Sequence, residues 1–221
     1  MPDFNTFSSL LRITAKYELP TVRSQLLEVI RDAYPEKGFA SSKPLGESVF
    51  SRPTPHPNKV LNFFVEQKLA SALPMAYYMA ARRGLDSLTD RRLSQSATLS
   101  PEILYSAIRG LMKLREMERD ETHHLIFGPK DPHRCSAPNC ISCAPTGPGA
   151  LESYQKVFDH IVGSSQLGTK ILQAPKFHGD GDISPISLGI CSKCVDRLEL
   201  GYADLRKRAW AMLPDVFGLR G

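Results

Sequence analysis

Residues 191–213, CSKCVDRLELGYADLRKRAWAML, decide the fold class. Val195, Leu198, Tyr202, Leu205, Ala209 and Met212 recur at alternating intervals of three and four, which lays one apolar stripe along a helix. Trp210, the single tryptophan, sits beside that stripe and reads as core. Two cysteines open the segment. Cys191 stands just before the helix and Cys194 in its first turn, where the helix dipole favours the thiolate form that metal binding and disulfide chemistry both require.

Working outward from this stretch, helical periodicity dominates and no run alternates as a strand would. Asp3 or Asn5 can cap a first helix carrying Phe7, Leu10, Leu11 and Ile13 toward Tyr17. Pro20 stops it, and Thr21 is a suitable cap for a second helix with Val22, Leu26, Val29, Ile30 and Ala33 on one face. Residues 35–57 hold seven Pro and Gly residues with little periodicity and read as a connector between an N-terminal pair, 1–34, and a C-terminal domain, 58–221. Val60, Leu61, Phe64 and Val65 start the next helix, and Leu69 to Ala81 is a buried helical segment restarted at Pro74 and closed by Gly84. Ser100, Pro101 and Glu102 combine an N-cap, a first-turn proline and an early acid, and the pattern behind them runs to Phe127, a helix of about 40 Å. Leu151, Tyr154, Val157, Phe158 and Ile161 mark a further helix. The expected class is therefore mainly α, an irregular helical bundle.

The chain has 221 residues, enough for a core without help from metal or disulfide. Its ordinary composition excludes collagen-like, wholly disordered and membrane-spanning classes. Formal net charge is +5, most of it between residues 51 and 100, where Arg82, Arg83, Arg91 and Arg92 cluster. That density is thin for a phosphate-reading stripe, so a solvated surface or an acidic protein partner is expected over nucleic acid. The first residues carry neither a basic region nor a sustained apolar run, so an intracellular chain, cytoplasmic or nuclear, with reduced thiols is expected.

All five cysteines fall in two clusters, Cys135, Cys140 and Cys143 in one loop and Cys191 with Cys194 in the other. Structural zinc wants four ligands in a tetrahedron, and a pair from each of two segments supplies them, leaving one thiol over. His133, two residues before Cys135, is an alternative ligand. Four thiolates would leave no open coordination position, so this would be a staple and not a catalytic centre. The competing chemistry is a thiol–disulfide couple at Cys191 and Cys194, but the residues before them make a poor strand for a thioredoxin-like unit. A zinc-dependent nucleic-acid binder using the arginine cluster is the other alternative. His123 and His124, adjacent on a helix, face different directions and suit a solvated helix end, whereas Asp180 and Asp182 lack the later ligands of a calcium loop. No phosphate-cradling loop, serine elbow or HExxH motif is present, which leaves catalysis without positive support.

Residues 7–30, FSSLLRITAKYELPTVRSQLLEVI, resemble the last two helices of a BTB/POZ domain. LPMAYYMAARRG at 73–84, CSAPNC at 135–140, CSKC at 191–194 and RAWAMLPDVFGL at 208–219 are similar to recurring segments of the C-terminal region of fungal BTB-domain proteins. The resemblance implies an N-terminal two-helix remnant of that domain and a zinc site on Cys135, Cys140, Cys191 and Cys194 in preference to Cys143. It also implies a non-enzymatic protein–protein interaction or adaptor role, with no membrane. The resemblance covers none of the strand-rich portion that precedes these helices in the family, so BTB-type homodimerisation is not expected to carry over.

Overall fold

The computed structural model describes residues 3–35, 50, 54–90, 92–127, 158–159, 171–172 and 192–219. The class is mainly α: α1 (Phe4–Lys16), α2 (Pro20–Ala33), α3 (Pro57–Glu66), α4 (Leu73–Ala81), the short α5 (Leu85–Thr89), a 3-10 turn (Gln95–Ala97), α6 (Pro101–Phe127) and α7 (Ser192–Val216), with no strand among the described residues. Two compact units emerge. The first takes residues 1–112 and 211–221, the second residues 113–210.

In the first unit, the Asp3 carboxylate caps α1 by accepting the backbone N–H groups of Asn5 (2.8 Å) and Thr6 (3.0 Å), two donors that no helical carbonyl can reach. Phe4, Phe7 and Leu11 then face inward at helical spacing. Phe4 meets Phe50 and Phe63 edge to face, at 5.0 and 5.5 Å between ring centroids, and Tyr34 beyond α2 meets Phe64 at 4.8 Å. These T-shaped contacts place positive ring edges against negative faces, adding directional preference to burial. Burial pushes the Tyr34 phenol up to about 12. Arg12 on α1 grips Glu66 at the end of α3 through two nitrogens, at 2.8 and 2.7 Å. Both side chains are half exposed, so solvent screening limits the pair to under about 1 kcal/mol. The apolar contacts, more than this ion pair, hold α1 on α3.

Helix α4 is buried on every side from Met75 to Ala81, which explains its nearly uncharged sequence. Gly84 follows with φ +90, the left-handed conformation that releases the chain into α5. Neither α5 nor the 3-10 turn is foreseen from periodicity, because five- and three-residue helices show no stripe. On the α6 part of this unit, Gly110 lies against the Phe217 ring: a Cβ there would collide with two ring carbons. Phe217 in turn stacks on Tyr77 at 5.1 Å.

In the second unit, the buried apolar side chains include Leu114 on α6, Ile171 and Leu172, and Val195, Leu198, Tyr202, Leu205 and Ala209 on α7, with Trp210 beside them. A polar seam crosses them. The Tyr202 hydroxyl donates to Thr122 Oγ1 at 2.7 Å with both groups buried, and Arg208 clasps Glu121 through two nitrogens at 2.6 and 2.9 Å. The guanidinium holds the Glu121 carboxyl below the usual range.

Two expectations require correction. Helix α2 begins at Pro20 with Leu19 at the cap position and no side-chain cap, so Thr21 is inside the helix instead of capping it. The proline supplies the start, because its fixed φ suits the first turn and its missing N–H is not needed there. Met212 is exposed, and the buried stripe passes to Leu213 and Val216. A 3.6-residue period drifts against a strict three–four count, and by this point the inward position has moved one residue on. The helix expected around 151–161 lies outside the described residues apart from Phe158 and Asp159.

Candidate interaction surface

The α1–α2 pair buries only part of its apolar inventory. On α1, Phe4, Phe7 and Leu11 are covered, but Leu10, Ile13 and Tyr17, spaced three and four apart, share an exposed side, with Tyr17 63% accessible. On α2 the imbalance is greater: Ile30 is the one fully buried side chain of the helix, while Val22 and Val29, seven apart, are exposed, as is Leu19 just before it. Six of the eleven exposed large apolar side chains among the described residues thus fall between residues 10 and 29. Single exposed apolar residues need no explanation, whereas such a concentration on two short helices singles out this part of the molecule as the candidate contact surface.

Sequence periodicity put Leu10, Ile13, Val22 and Val29 on apolar stripes but could not say which of them the fold covers. Phe4 packs on Phe63 of α3 and on Phe50, Phe7 packs on Phe50, and Leu10 and Ile13, rotated away from them on α1, remain outside.

The proposed metal ligands Cys135, Cys140 and Cys191 lie outside the described residues, as do Cys143 and His133. Cys194 is the third residue of α7, so its backbone stands in the first turn, where the sequence reading put it. Among the described residues no group of three or more His, Cys, Asp or Glu side chains is gathered in a metal-binding cluster. Of the arginine cluster, Arg82 and Arg83 occupy the turn after α4, Arg92 follows α5, and Arg91 is outside the described residues. His123 and His124 are exposed on α6. His160 and His178 are likewise not described.

One polar constellation escaped sequence reading. His56 caps α3, its Nδ1 accepting the Asn58 backbone N–H at 3.3 Å, and its Nε2 lies 3.3 Å from Ser87 Oγ on α5. Since Nδ1 accepts, Nε2 carries the proton and donates to Ser87. The imidazole therefore has no free lone pair with which to take the serine proton, and the pair is not built as a nucleophile and its base. The one available signal was a His-Pro step ahead of an apolar run, which is too common to single out.

No protein-family model, curated protein or solved structure matches the chain. No helix among the described residues is long and apolar enough to cross a membrane.

Proposed function

We propose that this chain is a non-enzymatic, intracellular protein–protein interaction or adaptor-type protein that meets its partner through the exposed apolar side of α1 and α2. The observation that carries this reading is the concentration of Leu10, Ile13, Tyr17, Leu19, Val22 and Val29 on that pair. Water in contact with such a surface is costly, and covering it supplies the main driving force of association. The likeness of residues 7–30 to the last two helices of a BTB/POZ domain, a class of domain that serves protein–protein interaction, supports the same reading.

The proposal includes a structural zinc on Cys135, Cys140, Cys191 and Cys194. The donor set fits that ion: four thiolates satisfy its tetrahedral preference, and Cys194 in the first turn of α7 lies where the dipole eases thiol ionisation. Zinc would join residues 135–140 to the start of α7, serving as scaffold.

The decisive test compares the full wild-type chain with an Ile13→Asp, Val22→Asp variant in affinity capture from cells, with circular dichroism confirming equal helicity. Partners retained by wild type and lost by the variant support the surface; an unchanged partner list removes it. For the metal, native and denaturing mass spectrometry should find one zinc per chain, released on acidification, and a metal-free native chain would discard the staple.

A further inference from the structure

We propose that the start of α3 carries a proton-operated latch: neutral His56 caps the helix by accepting the Asn58 backbone N–H at Nδ1, and proton uptake by the imidazole removes that acceptor while Nε2–H stays on Ser87.

The geometry rests on three contacts made from two residues. His56 Nδ1 accepts the Asn58 backbone N–H, and His56 Nε2–H meets Ser87 Oγ, both at 3.3 Å. Asn58 Nδ2 donates to the Ser87 carbonyl at 3.2 Å. Asn58 is wholly buried and Ser87 partly so, which means that water does not readily replace a lost partner at the Asn58 amide. An N-cap is ordinarily an oxygen from Ser, Thr, Asp or Asn, whose acceptor survives across the physiological range. Imidazole differs. Once protonated, both ring nitrogens are donors, so Nδ1–H would face the Asn58 N–H and the cap becomes a donor–donor clash.

The charges around the ring point the same way. Arg83, in the turn after α4, opposes a second positive charge, and Asp90, after α5, favours it; Ser87 and Asn58 are uncharged. Burial first, then Arg83, hold the imidazole below its ordinary 6.5, with Asp90 partly offsetting them. Between that lowered value and 6.5 the unfolded chain binds more protons than the folded one. The stability that goes with keeping this imidazole neutral is therefore complete above 6.5 and is lost as pH falls through the folded-state value, where the cap loses its acceptor.

The test uses the isotopically labelled full chain. Amide hydrogen-exchange protection at Asn58, corrected for intrinsic rate, should fall about five- to tenfold in wild type between about pH 7.5 and about pH 5.5, the size expected for losing one cap. In His56→Asn, where the side-chain oxygen accepts without titrating, protection should stay level across the same range. Flat protection in wild type, or an equal fall in His56→Asn, overturns the latch. Should the variant fold poorly, the wild-type imidazole itself decides: a titration midpoint below 6.5 with the proton on Nε2 supports the proposal, and an ordinary or raised midpoint overturns it.

Discussion

Gly218, Glu18 and Lys68 solve one problem with different success. Each follows a helix C-terminus in the left-handed region, at φ +70, +53 and +55, and each lets the next residue's N–H reach back to an otherwise unsatisfied carbonyl: Leu219 to Pro214, Leu19 to Thr14 and Leu69 to Phe64. Glycine adopts that conformation without cost, whereas a Cβ meets the neighbouring carbonyl oxygen and costs roughly 1–2 kcal/mol. Gly218 has open space beside it, so Gly218→Ala should destabilise the fold through backbone strain alone, by about 1 kcal/mol. Lys68→Gly should act in the opposite sense, stabilising by a few tenths of a kcal/mol, since relief of strain exceeds the added freedom of the unfolded chain. Urea unfolding of the two variants checks both signs, and equal signs would contradict the shared motif. Gly110 is a different case, a close approach: Gly110→Ala gains helix propensity yet must displace the Phe217 ring, and a net loss of about 2 kcal/mol is expected in the same measurement. Glu18 and Lys68 are not legible from sequence, because nothing in a charged residue announces a left-handed backbone.

Whole helices were more readable than their ends. The Ser100-Pro101-Glu102 start of α6 agrees with the structure, and the segment expected to be helical over Leu69–Ala81 is helical from Leu73, one residue before Pro74, because capping and proline chemistry act on neighbouring residues and need no tertiary context. The α7 stripe likewise holds for Val195, Leu198, Tyr202, Leu205 and Ala209. What periodicity could not supply is that Tyr202 is more than an apolar filler. Its hydroxyl needs a buried partner, and Thr122 provides one 80 positions away along the chain. Tyr202→Phe strands the threonine acceptor, and we expect a loss of about 1–2 kcal/mol in chemical unfolding followed by a probe in the second unit. Restoration of stability by pairing it with Thr122→Val would identify the hydrogen bond as the cause. A single-variant effect that the second substitution leaves unchanged would assign the loss to packing.

For the molecule as a whole, the mainly α class was legible from residue 191 backwards, and the proposed zinc staple predicts its own global signature. A chelator such as EDTA, or acidification, should lower the melting temperature of the full chain, with recovery on adding zinc but not magnesium, since thiolates favour the softer ion. Melting indifferent to chelation would argue against any structural metal. Local order along the chain suffices to specify which segments become helices, because hydrogen bonds within a helix join residues four apart and the apolar period is written in consecutive side chains. Packing alone chose Phe4, Phe7 and Leu11 for the interior and left Leu10, Ile13 and Val22 outside, joined His56 to Ser87, and brought Phe217 onto Gly110. Those outcomes depend on residues distant in sequence competing for the same limited volume, a competition that no local pattern records.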